Sequence, residues 1–432
     1  MKSAPTTVRF VLSRLLTFAE ILIKACLFLP IILFMVWFSY KVDISGLFQG
    51  ELAPREVANM LLEGNTVSNY EQMDERQILK LYVQNLPEDR VPNTVAVGSS
   101  RVLQLSTPLA GDTSYYNAGM SGAGPMDIMN AFYLFDRAGK LPKNLIIEVD
   151  PWLFNPNFAQ ERADADLFSE FLHTCLKVND DQEEEPPLES WKALLDPAYF
   201  QGNVRYYMNQ KKTGEKENED GSEIPFHAVN EDTDHLTYTI KRADGSIFYP
   251  EDFRNWNYEQ VMAEALVQAG TIGAMHGFDT MDPYWTDLFD QFITYVQSRD
   301  VNVVFLLTPY HPFIIKHVYR NPDGLAGFFQ VEPWIRNYAQ EHNIPVYGSY
   351  HASRVGVPED LFFDGIHCKP DALRLIFPGI ESALHGQQTA YQDAYTEKYA
   401  SRYPALTESA LVGSTEECLV VDEDWFAEAS PT

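Results

Sequence analysis

Cysteine is scarce in this chain, with four among 432 residues, at Cys26, Cys175, Cys368 and Cys418. So few cannot staple a disulfide framework, and no pair has the spacing of zinc ligands. Cys175 with Cys418 is one pairing that remains open, and no metal or cofactor is expected. Positive charge is also scarce: 32 Lys and Arg stand against 61 Asp and Glu, for a formal net charge of −29. Such a surface repels nucleic acid at long range, so no nucleic-acid partner is expected. Salt screens that repulsion over about 8 Å, so net charge leaves the content of a concave site undecided. There is no internal repeat, which sets aside stacked-repeat architectures.

Charge of either sign is almost missing from residues 21–40, where Lys24 is the single charged residue. This run can cross the roughly 30 Å of hydrocarbon in a bilayer, with Trp37 and Tyr40 at the height of an interfacial aromatic belt. A cleaved signal peptide is the competing reading. Pro30 inside the run and the lack of a small-x-small site after it favour an uncleaved single-pass anchor. Lys2, Arg9, Arg14 and Lys24 against Glu20 predict a cytoplasmic N-terminus at 1–20 and an extracytoplasmic remainder, periplasmic or extracellular. Beyond residue 40 the balance is 28 basic residues against 60 acidic ones.

Residues 41–90 read as a helical linker, with amphipathic runs at 56–62 and 77–82. Strand-like runs then appear at 93–98, 114–118, 144–149, 301–307 and 344–347. Helix-like runs at 126–138, 285–299, 331–342 and 370–384 separate them. Such alternation predicts an α/β fold with a parallel sheet covered on both faces, spanning 91–390. Residues 156–284 break the rhythm and read as a long insertion of helix and loop. Its charged stretches, 180–185 and 211–220, read as solvated loops. It is also rich in aromatics, among them Tyr249, Phe253 and Trp256, which fill a core or line a carbohydrate cleft. Residues 391–432 form an acidic tail.

Two short segments carry the chemistry. Gly98-Ser99-Ser100-Arg101 follows an apolar strand in a turn that can present a hydroxyl nucleophile. Asp364 and His367 stand three positions apart ahead of a helix-like run. Together they supply the parts of a Ser-His-Asp acyl-transfer site. Alone, a Ser-Ser turn also reads as an ordinary helix cap. In open parallel sheets ligands bind beyond the carboxyl ends of strands. There the chain places the Gly98 turn, Asn117-Ala118-Gly119, Asp150 and Thr308-Pro309-Tyr310-His311.

At these blocks the chain resembles the SGNH (GDSL-like) hydrolase superfamily, over about 91–155 and 300–385. The resemblance implies a flavodoxin-like three-layer domain with Ser100 as nucleophile, His367 as base and Asp364 as its partner. It also implies an oxyanion hole from the backbone N–H groups of Ser100 and Gly119. Two positions depart from the family pattern. Ser99 replaces the Asp before the nucleophile, and Asp150 stands where the oxyanion-hole Asn belongs. A carboxylate there repels a developing oxyanion, and losing one donor costs about 2.7–4 kcal/mol of transition-state stabilisation. Asn117 is a candidate replacement donor, and Arg101 and His311 are candidate substrate contacts. Cys368, Trp152 and Phe154 read as packing residues.

The Gly-Ser-Ser turn and Asp150-Pro151-Trp152-Leu153-Phe154 resemble membrane-anchored relatives such as D-alanyl teichoic-acid proteins. Periplasmic acetylation proteins of exopolysaccharide systems are similar in kind. That narrower likeness implies a serine esterase or O-acyltransferase acting on an acylated cell-surface glycan, beside a membrane-bound O-acyltransferase partner. The competing expectation is a catalytically degenerate SGNH domain that binds glycan or assists polymer assembly or export.

Overall fold

The computed structural model describes residues 29–41, 52–68, 74–160, 162–178, 194–197, 199–201, 203–204, 227–229, 236, 238–270, 273–320 and 324–385. The chain divides into two compact units. The smaller comprises 1–54, 72–74 and 182–225, and the larger holds the rest.

In the smaller unit, residues 29–41 are helical, and Leu29, Ile31, Ile32, Leu33, Phe34 and Trp37 are exposed. Among the described residues no helix is long and apolar enough to cross a membrane. Residues 21–28 of the expected span lie outside the described residues, as do the charged stretches 180–185 and 211–220, Cys418 and the tail.

The larger unit contains nine described strands: β1 (Thr66–Ser68), β2 (Thr94–Val97), β3 (Tyr115–Asn117), β4 (Asn144–Glu148), β5 (His227–Val229), β6 (Ile240–Lys241), β7 (Ile247–Phe248), β8 (Asn302–Leu307) and β9 (Val346–Gly348). Five form a wholly parallel sheet in the order β3-β2-β4-β8-β9. The strands are short, apolar and almost fully buried, the pattern of a sheet covered on both faces. On one face Ala96, Ile146, Val304 and Leu306 pack with Leu373, Ile376 and Ile380 of the helices Pro370–Ile376 and Ile380–Leu384. On the other, Phe305 meets Phe289 of the helix Pro283–Ser298 and Tyr338 of the helix Phe328–Glu341. Period-two alternation along β8 sends neighbouring side chains into these two layers.

Because β2 lies between β3 and β4, the chain leaves it toward one side of the sheet and later returns on the other. The carboxyl end of β2 is therefore a topological switch point, where such sheets open a crevice.

Four elements differ from the sequence expectation. Residues 75–85, expected as a helix of the linker, instead pack into the unit, where Arg76 makes a buried two-pronged bond to Asp127 at 2.7 and 2.6 Å. The insertion is partly structural: β5, β6 and β7 join β1 in an antiparallel sheet. A helix at Pro312–Arg320 follows His311 directly. The expected helix 370–384 is broken at 377–379, because Pro378 has no N–H to donate and Gly379 takes φ +88°.

Candidate active site

β2 ends at Val97, and Gly98 begins the turn. A Cβ at Gly98 would lie 2.6 Å from Glu148 Cβ and 2.9 Å from its Oε2, so only glycine lets β4 approach this closely. The two serines then part company. Ser99 is buried; its N–H and hydroxyl face Glu148 Oε2 at 3.2 and 3.4 Å, and its Oγ accepts from Arg101 N. Ser100 is half-buried, and its Oγ lies 2.8 Å from His367 Nε2.

His367 reaches the turn from a loop 267 positions later in the chain. Its Nδ1 is 2.8 Å from Asp364 Oδ2, while Asp364 Oδ1 accepts the backbone N–H groups of Ile366 and His367 at 2.8 and 2.7 Å. Burial alone would raise the Asp364 acid. His367 and the two backbone donors outweigh that and draw it down to about 2. Asp364 is thus an anion at neutral pH, positioned to keep a proton on Nδ1 and leave Nε2 free to accept one from Ser100.

The insertion braces this loop. Gly365 N donates to Gln268 Oε1 at 2.8 Å, on the helix Tyr258–Gly270. A Cβ at Gly365 would fall 2.7 Å from that oxygen, 2.9 Å from Ile314 Cδ1 and 3.0 Å from Ala265 Cα. Partly exposed Tyr249 stands beside His367, with ring centroids 6.1 Å apart, and packs against Phe253 and Phe363.

Several expected roles are corrected. Gly119 N donates at 2.9 Å to Asn117 Oδ1, so in this arrangement it is not an open oxyanion donor. The Asn117 amide cannot substitute, because Nδ2 donates to Val102 O and Leu105 O at 2.9 and 3.0 Å. Ser100 N, in contrast, has no acceptor among the described residues.

Asp150 does not face an oxyanion; its Oδ1 accepts from Arg101 Nη1 at 2.5 Å, and both side chains are buried. Burial and the neighbouring Glu148 push the Asp150 acid well above the ordinary range, while Arg101 opposes them. Arg101 is 1 % exposed and is therefore no substrate contact. Burial disfavours its charge, but Tyr310, Asp150 and Glu148 outweigh that and keep it cationic.

His311 is equally buried. Its Nδ1 accepts from Phe313 N at 3.1 Å, and Nε2 has no partner among the described residues. Burial lowers it to about 4, against a smaller opposing effect of Asp364, so it is neutral at physiological pH, and its backbone N–H donates to Gly365 O at 3.0 Å. Cys368, Trp152 and Phe154 are buried packing residues.

Sequence reading missed the roles of Glu148 and Thr308, whose Oγ1 donates to Glu148 Oε1 at 2.7 Å. An acid ending the apolar strand Asn-Leu-Ile-Ile-Glu was the available signal, since a buried carboxyl requires partners. Among the described residues no cluster of His, Cys, Asp and Glu could hold a metal. Compared with known proteins, the chain matches no family model and no curated sequence.

Proposed function

We propose that this protein is an SGNH-type serine esterase or O-acyltransferase with a flavodoxin-like domain. The observation that carries the reading is the continuous hydrogen-bonded line Ser100 Oγ, His367 Nε2, His367 Nδ1, Asp364 Oδ2, with both links 2.8 Å long. Three residue types in the right order at these distances are what an otherwise weakly nucleophilic hydroxyl requires for activation.

In the reaction, Ser100 Oγ attacks the ester carbonyl as His367 Nε2 takes its proton. The tetrahedral oxyanion draws on Ser100 N–H. Collapse breaks the ester C–O bond, and His367 returns the proton to the leaving alkoxide. The acyl-Ser100 ester then passes to water or to a sugar hydroxyl, deprotonated in turn by His367.

The apolar run 21–40 supports anchorage in a bilayer with the main domain outside the cytoplasm. The likeness of the Gly98-Ser99-Ser100 turn and the Asp150-Pro151-Trp152-Leu153-Phe154 segment to surface-polymer acylation proteins supports an acylated cell-surface glycan as substrate and a membrane-bound O-acyltransferase as partner. The bonded Gly119 amide favours a second reading, a degenerate SGNH domain that binds glycan or serves polymer assembly or export.

Fluorophosphonate labelling of the full-length chain separates the two. In that reaction the Ser100 O–P bond forms, fluoride leaves and His367 takes the serine proton. One adduct on wild type, lost in both Ser100→Ala and His367→Ala, is the expected result by intact mass. A folded wild type that takes no adduct favours the binding or assembly role.

A further inference from the structure

Arg101 follows the nucleophile directly in the chain, yet its guanidinium turns inward and reaches the loop that carries the base. Its Nε donates to Ile366 O, the carbonyl immediately before His367, at 3.2 Å. Nη1 donates to Asp150 Oδ1 at 2.5 Å, with Glu148 Oε1 3.7 Å away, and Nη2 donates to Thr308 O. The guanidinium also lies over the Tyr310 ring, 3.7 Å from its centroid. One planar fork therefore joins the ends of β2, β4 and β8 to the Asp364–His367 loop, 265 positions from Arg101.

We propose that Arg101 is a positioning residue for acyl transfer, a buried brace that sets the separation of Ser100 Oγ from His367 Nε2. The proposal rests on the serine acyl-transfer reading of the same site. A brace of this kind needs donors diverging in fixed directions, which guanidinium provides and ammonium does not. Lysine at 101 preserves the charge among Glu148, Asp150 and Tyr310 but cannot serve Ile366 O, Thr308 O and Asp150 together. The hydroxyl and imidazole then lose their register, and misplacement near 1 Å in such a pair costs about 100-fold in rate.

The test uses the full-length chain as wild type, Arg101→Lys and Asp150→Ala. The readouts are fluorophosphonate labelling over a range of probe concentrations and the low-field proton resonance of the Asp364–His367 hydrogen bond. Arg101→Lys, folded by near-ultraviolet circular dichroism, is expected to lower the maximal labelling rate by about 100-fold, leaving the half-saturating probe concentration unchanged. A folded Arg101→Lys protein that labels within about threefold of wild type overturns the proposal. If Arg101→Lys does not fold, Asp150→Ala decides by the same rates, because it removes the acceptor that aims the fork. If wild type shows the resonance but takes no label, the acyl-transfer reading fails. The resonance alone then decides: movement in the variant supports the brace, and an unmoved signal overturns it.

Discussion

At position 99 a hydroxyl faces Glu148, and at position 100 the next one faces His367. Ser99→Ala is therefore expected to cost about 1 kcal/mol of stability through lost hydrogen bonding while the fluorophosphonate adduct still forms. Ser100→Ala is expected to remove the adduct with the fold intact, and the opposite pattern would reassign the nucleophile. Asp364 makes a pH prediction. Its acid is drawn from 3.8 to about 2 in the folded chain. Its contribution to stability is therefore complete above the unfolded value and disappears as pH falls through about 2. Asp364→Asn should cost about 2 kcal/mol in urea unfolding at neutral pH and almost nothing near the acid limit. A penalty that does not change with pH would mean that the carboxylate charge is not what the fold stabilises.

At the scale of elements, the Asp364–His367 loop is held from outside the sheet by the helix Tyr258–Gly270, which meets it at Gly365. Gly365→Ala places a methyl group against Gln268, Ile314 and Ala265. It is expected to cost about 1–3 kcal/mol as overpacking and to slow labelling more than the stability loss explains. Comparing labelling rate with thermal midpoint checks this; a variant that is destabilised but labels normally would show that the helix supports the fold and not the site. The helix lay hidden in the insertion because residues 156–284 mix aromatics, charge and glycine with no steady period. The sheet was far easier to read. Asn144–Glu148 and Asn302–Leu307 are compact apolar runs buried on both faces, and their spacing by helices predicts parallel pairing. Local pattern could not show that 75–85 docks in the body, since an amphipathic helix reads the same wherever its apolar face is buried.

For the whole molecule, the decisive expectation is orientation. On the proposed reading, the basic residues before residue 25 favour an N-terminus in the cytoplasm and a domain outside. An alkaline phosphatase reporter fused after Thr432 should accordingly be active in cells, and a fluorescent protein that folds only in the cytoplasm should be dark. The reverse pair of results would place the domain inside. The net charge of −29 surrounds a site whose own buried charges are closely paired. Overall acidity therefore describes the solvent surface and says little about the reaction, which depends on fields a few ångströms across.

Local order along the chain determined the five strands of the parallel sheet, which turn follows β2, and that Asp364 and His367 lie within bonding reach of one another. An acid three positions before a histidine needs only one turn to meet it. Tertiary structure decided that Ser99 turns to Glu148 while Ser100 meets the imidazole, and that Arg101 turns inward to Asp150 and Ile366. Each of those outcomes depends on segments between 49 and 267 positions apart being packed to within a hydrogen-bond length. Periodicity reports which face of an element is buried, but the side chain that it meets there depends on how the layers close.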